Sequence, residues 1–305
     1  MRLCVVGCGA VGSLFAANIA RLEDVEVWAY DLDQAHVDAI NAHGLRLSGE
    51  GDVVGRLRAT TAADEVPPCD FGIVATKSMH TGPAIEATAH AFAGGSVCSV
   101  QNGLGNEEVL AERVPSVIRG TTFPAGRLLE PGHVQWDVRG DTTIGPFEPS
   151  PAPTKAIEQL ADACTRAGMP TEAVADARGP QWRKVIFNAA TNPVGALTGL
   201  THGRVCEDPE LRALVSGLVD EGKAVAAAEG IELDADPEEL IDHAAKPEVA
   251  YDHKASMLQD VEARRATEID YLNGGIVRFG DERGVPTPLN KAILELVKGV
   301  ERSWQ

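Results

Sequence analysis

The chain has 305 residues, 44% of them hydrophobic and 24% charged, which excludes a disordered, collagen-like or disulfide-scaffold protein and leaves room for two domains. Its 27 Lys+Arg against 45 Asp+Glu give a net charge of −18, and no basic cluster offsets it, so nucleic acid is not expected as a partner. No uncharged apolar run reaches the roughly 18 residues of a membrane span. The opening MRLCVVGCGAVG breaks its apolar run at Gly7, too early for a signal peptide, so a cytoplasmic protein is expected. The six cysteines form no CxxC pair and read as reduced core thiols, and the histidines show no metal-binding spacing.

In chain order, Leu3–Val6, Val25–Tyr30, Phe71–Ala75 and Ser96–Val100 read as short buried strands. Between them, Val11–Leu22, Ala35–His43, Pro83–Ala91 and Asn106–Val114 carry helical periodicity. That alternation predicts a doubly wound parallel sheet of Rossmann type. Val117–Thr122, His133–Val138 and Thr142–Pro146 read as antiparallel strands that extend the sheet, followed by a helix at Ala156–Ala167 and a strand at Thr171–Val174. From Gln181 no strand pattern survives. Gln181–Thr191, Pro209–Ala228, Pro237–Ala244 and Glu262–Arg283 are predicted helices. The expected fold is therefore α/β, with a dinucleotide-binding domain over residues 1–175 and an all-α substrate and catalytic domain over 176–305.

Gly7-Cys8-Gly9-Ala10-Val11-Gly12 fits G-x-G-x-x-G between a strand and a helix. Gly7 permits the tight turn, Gly9 lets backbone approach a diphosphate, and Gly12 lets the helix pack on the strand. The helix N-terminus then supplies N–H groups to the phosphates. Asp31, at the end of the second strand, is placed to accept from a ribose 2′-hydroxyl and to repel a 2′-phosphate, which favours NAD(H) over NADP(H). The competing reading makes Asp31 or Asp33 a cap of the next helix. Lys77 and Asn102 follow two further strands and face the same carboxyl edge.

In Trp182–Pro193, Lys184, Asn188 and Asn192 recur every four residues and share one helix face. Pro193 withdraws a donor from the carbonyl of Ala189, so the helix is expected to bend or end there. The stripe lines a substrate cleft or is satisfied within the helical core. Together with the glycine loop, Lys77, Gln101-Asn102-Gly103, Ser256–Asp260 and Thr267–Gly274, this segment makes the chain resemble the ketopantoate reductase (2-dehydropantoate 2-reductase) family over essentially its whole length.

The resemblance implies a helical second domain of the 6-phosphogluconate dehydrogenase C-terminal type and a hydride transfer to the carbonyl carbon of a 2-oxo acid in the interdomain cleft. It implies Lys184 as proton donor to the ketone oxygen and Glu268 as the carboxylate that binds the substrate hydroxyl and orients Lys184. Asn188, Asn192 and Ser256 would hold the substrate, Asn102 would bridge cofactor and substrate, and Lys77 would lie by the cofactor. Simpler readings make Ser256 and Gln259 a capping box, and Glu268 an exposed partner of Arg264 and Arg265.

Two departures stand out. Members that use NADP carry an arginine where this chain has Tyr30-Asp31, and His202-Gly203 replaces the Asn-Gly of many members. The expected activity is reduction of ketopantoate to D-pantoate. The alternatives are NADH-dependent reduction of another branched 2-oxo acid and a catalytically silent NAD(H)-binding regulator. Apolar helical faces are compatible with either a homodimer or a larger core.

Overall fold

The computed structural model describes residues 1–304 and divides into two compact units. Met1–Gln101 and Asn106–Ala177 form the first; Asn102–Gly105 joins everything from Arg178 onward in the second. The Asn102–Gly105 excursion is not visible when the chain is read linearly.

The first unit contains β1 (Arg2–Val6), α1 (Ala10–Ile19), β2 (Glu26–Tyr30), α2 (Gln34–His43), β3 (Leu45–Gly49), β4 (Val53–Gly55), β5 (Arg58–Thr60), β6 (Phe71–Val74) and α3 (Thr81–Thr88). It continues with β7 (Ser96–Ser99), α4 (Asn106–Ala111), β8 (Val117–Thr122), β9 (Ala125–Glu130), β10 (His133–Val138), β11 (Thr142–Pro146), α5 (Thr154–Arg166) and β12 (Thr171–Ala173). Eight strands order as β12-β11-β8-β7-β6-β1-β2-β5, parallel from β8 to β5, with β11 antiparallel to β8. Strand order reverses between β1 and β6, the point at which sheets of this kind bind ligands beyond their carboxyl ends. Apolar residues cover both faces of β1, β6 and β7, as a parallel sheet sandwiched by helices requires.

One strand lies elsewhere than expected. β10 does not extend the main sheet; it joins β3, β4 and β9 in a second sheet of order β4-β3-β10-β9. The cause is long-range pairing: His133–Trp136 run parallel to Arg46–Gly49, and Leu45, Leu47, Val134 and Trp136 bury their side chains in the core that contains α1. Gly55 of β4 approaches the backbone of Ala17 so closely that no side chain fits there.

The second unit is helical: α6 (Arg178–Thr198), α7 (His202–Glu207), α8 (Pro209–Ala228), α9 (Pro237–Ala244), α10 (Ser256–Glu262), α11 (Asn273–Arg283) and α12 (Pro288–Arg302). Asp-Pro pairs start α8 and α9, the aspartates accepting from the first free N–H groups and the prolines filling a position that needs no donor. Of the predicted helix Glu262–Arg283 only Asn273–Arg283 forms α11; Glu262 is the last residue of α10, and residues 263–272 between them are turns and irregular chain. Ala263 caps α10, and the φ of 51° at Arg264, just beyond it, prevents the helix from continuing. Pro193 does not end α6, which continues to Thr198. No helix among the described residues is long and apolar enough to cross a membrane.

Candidate active site

Two glycines of the loop in the first unit are required by the protein's own packing. Gly7 sits at φ +86°, where a Cβ would lie 2.5 Å from the Thr76 side chain, and a Cβ on Gly12 would lie 2.0 Å from the Gly7 carbonyl. Gly9 differs: a Cβ there would meet no atom within 4 Å. Its glycine therefore serves no protein contact and leaves open the side from which a diphosphate would approach the start of α1. Cys8 is buried, and burial pushes its thiol up to about 12, so it is no nucleophile.

Asp31 and Asp33 make different hydrogen bonds. Asp33 is the N-cap of α2, accepting from the His36 N–H at 3.2 Å. Asp31 instead accepts from the Cys8 N–H at 2.7 Å and from the Asp33 N–H at 2.9 Å, tying the end of β2 to the glycine loop. A carboxylate offers about four acceptor positions, so about two of those of Asp31 are unused among the described residues. Lys77 follows β6 and opens the short 3₁₀ turn Ser78–His80. Gln101, to which the sequence reading gave no role, is buried and donates to the Thr76 carbonyl and to the Thr76 and Thr81 hydroxyls. It fixes the strand end from which Asn102 departs.

In the second unit, Lys184 Nζ donates to Asn102 Oδ1 at 2.8 Å. Asn102 Nδ2 donates to Glu268 Oε2 at 3.3 Å, and Asn188 Nδ2 makes a long contact of 3.5 Å to Asn102 Oδ1. Asn102 is held there by its neighbour. Gly103 takes φ +88° with its α-carbon against Tyr271, and Leu104 donates to the Tyr271 carbonyl at 2.9 Å. A side chain at Gly103 would strike the Tyr271 backbone, which is why Asn-Gly occurs at this place.

Lys184 is half-buried, and the loss of water around its ammonium lowers its pKa from 10.5 to about 8; the Glu268 carboxylate partly opposes that shift. Asn188 and Asn192 are buried on the same face, and the Asn192 amide has no hydrogen-bond partner among the described residues. Glu268 lies on the turn before α11, not on a helix, and Arg265 pairs with Asp260 instead. Thr267 anchors that turn by donating to Glu301 of α12 through both its N–H and its hydroxyl. Ser256 is no cap: Ala255 holds the N-cap position of α10, Gln259 donates to the Lys254 carbonyl, and the exposed Ser256 hydroxyl makes no hydrogen bond among the described residues. His202 bonds through Nε2 to the Ile241 carbonyl at 3.1 Å and stacks, tilted, on Phe187. Burial lowers its pKa, so the ring is a neutral structural link between α7 and α9.

Family models described as "Ketopantoate reductase PanE/ApbA" and "Ketopantoate reductase PanE/ApbA C terminal" match residues 3–149 and 176–301. The chain belongs to the ketopantoate reductase family. A relative named 2-dehydropantoate 2-reductase from Pyrococcus abyssi is 34% identical over 302 residues, 99% of this chain and 98% of its own. Among solved structures, a PanE/ApbA family ketopantoate reductase from Ralstonia eutropha JMP134 is similar at a TM-score of 0.88 and 32% identity, covering 99% of both chains. D-mandelate dehydrogenase in a ternary structure with NADH and anilino(oxo)acetate is similar at a TM-score of 0.90 and 28% identity, again over 99% of both. Family membership makes the chain an oxidoreductase with a nucleotide-binding Rossmann domain.

Proposed function

We propose that the protein reduces the ketone of ketopantoate to D-pantoate with NADH. The observation that carries this reading is the Lys184 ammonium, held by Asn102 at 2.8 Å and brought by desolvation to a pKa of about 8. A proton donor works best when its pKa lies near the operating pH, and an unperturbed lysine is far too weak an acid for that. As hydride reaches the carbonyl carbon, negative charge gathers on the oxygen; a fixed ammonium stabilises that charge and then transfers its proton.

The residues around the glycine loop fit a dinucleotide. The N–H groups at the start of α1 would hold the diphosphate beside Gly9, and Asp31 would accept from the ribose hydroxyls while repelling a 2′-phosphate. Bound nicotinamide would supply the hydride; every other role falls to backbone and side-chain groups of this chain. Asn188, Asn192 and the Ser256 hydroxyl are unspent or weakly engaged polar groups suited to the substrate carboxylate and hydroxyl. Glu268, reached through Asn102, orients Lys184 and keeps it protonated. Lys77 would lie by the nicotinamide ribose.

A second reading, reduction of another 2-oxo acid with NADH, is favoured by the similarity to D-mandelate dehydrogenase and by the His202 ring, which is committed to Ile241. Steady-state oxidation of NADH and NADPH with ketopantoate and with other branched or aryl 2-oxo acids separates the two. A kcat/KM with NADH and ketopantoate above about 10⁴ M⁻¹s⁻¹ is expected. A tenfold preference for another 2-oxo acid selects the second reading, and turnover of none rejects both.

A further inference from the structure

Helix α6 runs through a proline. Pro193 has no N–H to offer the carbonyl of Ala189, yet the helix persists on both sides. That carbonyl is not left bare: Asn273 Nδ2, from the first residue of α11, donates to it at 2.9 Å. The other Nδ2 hydrogen goes to Asn290 Oδ1 at 3.0 Å. These two acceptors fix the orientation of the Asn273 amide, because turning it over would set its oxygen against two others.

The chain of bonds continues. Asn290 donates to Glu221 Oε2 at 2.8 Å, and Glu221 accepts from the backbone N–H groups of Leu289 and Asn290 at 2.8 and 2.9 Å. Asn273 and Asn290 are completely buried. Asn273 Oδ1 has no hydrogen-bond partner among the described residues, a loss that an apolar residue would avoid. The amide is therefore kept for its donors. One of those donors reaches the carbonyl that Pro193 deprives of its helical bond, and that peptide lies between Asn188 and Asn192. Asn273 also begins the helix that directly follows the turn carrying Glu268.

We propose that Asn273 is a positioning residue: its amide replaces the hydrogen bond that Pro193 removes and so holds Asn188 and Asn192 in register with Lys184, and Lys184 in register with Glu268. Without it, the turn 189–193 is the compliant point of α6. The inference rests on the proposed role of Lys184, but its test is separable from that role.

Asn273→Ala is compared in the full-length protein with Pro193→Ala, which restores an N–H to the Ala189 carbonyl, and with the double variant. Two quantities are read: turnover of the 2-oxo acid, and the titration of Lys184 followed by NMR without substrate. Asn273→Ala is expected to lower kcat about tenfold, with KM changing less than about threefold, and to move the Lys184 titration by about half a pH unit. In the Pro193→Ala background the same substitution is expected to change kcat less than about threefold, because the restored N–H takes over the bond. Equal losses in both backgrounds, or an unmoved Lys184 titration in Asn273→Ala, overturn the proposal. If Asn273→Ala does not fold, the double variant is read against Pro193→Ala alone, and a tenfold loss there overturns it as well. A wild-type protein that reduces no 2-oxo acid rejects the proposed function, while the Lys184 titration still decides the role of Asn273.

Discussion

The glycine loop and the Lys184 cluster are built in opposite ways. The loop is six consecutive residues that act through backbone geometry, and the one functional-looking side chain in it, Cys8, is buried and inert. The cluster is made of side chains from three separate segments, around 102, 184–192 and 268, each of which needs something else to hold it. Asn102 depends on Gly103 against Tyr271, the Glu268 turn depends on Glu301, and α6 depends on Asn273. A site made of backbone is specified where it stands. A site made of side chains is specified by packing elsewhere, so its function should be sensitive to residues that never touch substrate.

Substitutions sharpen that contrast. The largest effect is expected for Lys184→Ala, which removes the proton donor: kcat and kcat/KM should fall together by about 10²–10⁴-fold with NADH affinity unchanged. Turnover within threefold or so of wild type would dismiss Lys184 as the acid. Asn102→Ala leaves the lysine but deletes an acceptor of its ammonium that is also bonded to Glu268; a loss of about 10- to 100-fold in kcat/KM is expected, the range of a hydrogen bond to a charged group. On the backbone side, Gly9→Ala adds a methyl that meets no protein atom, so Tm should hold while the NADH Kd rises about tenfold, roughly 1.4 kcal/mol. An unchanged Kd would mean that the open side of Gly9 is not where the diphosphate lies. Least in absolute rate, Asp31→Asn should narrow the NADH-over-NADPH ratio severalfold by removing the negative charge while keeping an acceptor for the Cys8 N–H; a constant ratio would leave Asp31 as a purely structural tie.

The same contrast explains what could be read from the sequence. The glycine loop, the strands on either side of it and the Asp-Pro helix starts are local signals, and they stand where the spacing puts them. The Lys184–Asn188–Asn192 stripe was legible as a face, but that Asn102 belongs to the same unit was not, because a four-residue excursion leaves no mark on periodicity. Pairing of β10 with β3 across more than 80 residues was hidden for the same reason, and β9, exposed along most of its length, shows no alternation to read. Neither Gln101 nor Asn273 carries a role that its local sequence alone reveals. The signal for Asn273 was present in Pro193: a proline inside a helix that must continue demands a donor from elsewhere. The capping-box reading of Ser256 fails because Ser256 stands one position inside α10 with Ala255 at the N-cap, and the salt-bridge reading of Glu268 fails because residues 263–272 are not helical.

The central claim, that a desolvated Lys184 is the proton donor, is tested most directly by the pH profile of kcat/KM for NADH-dependent reduction. Lys184 must carry its proton to act, so the rate should be level below its pKa and fall tenfold per pH unit above about 8. Because the Glu268 carboxylate raises that pKa, Glu268→Gln should move the falling limb to lower pH. A profile level to pH 10 in the wild type, or a limb that Glu268→Gln leaves in place or moves to higher pH, would contradict the account.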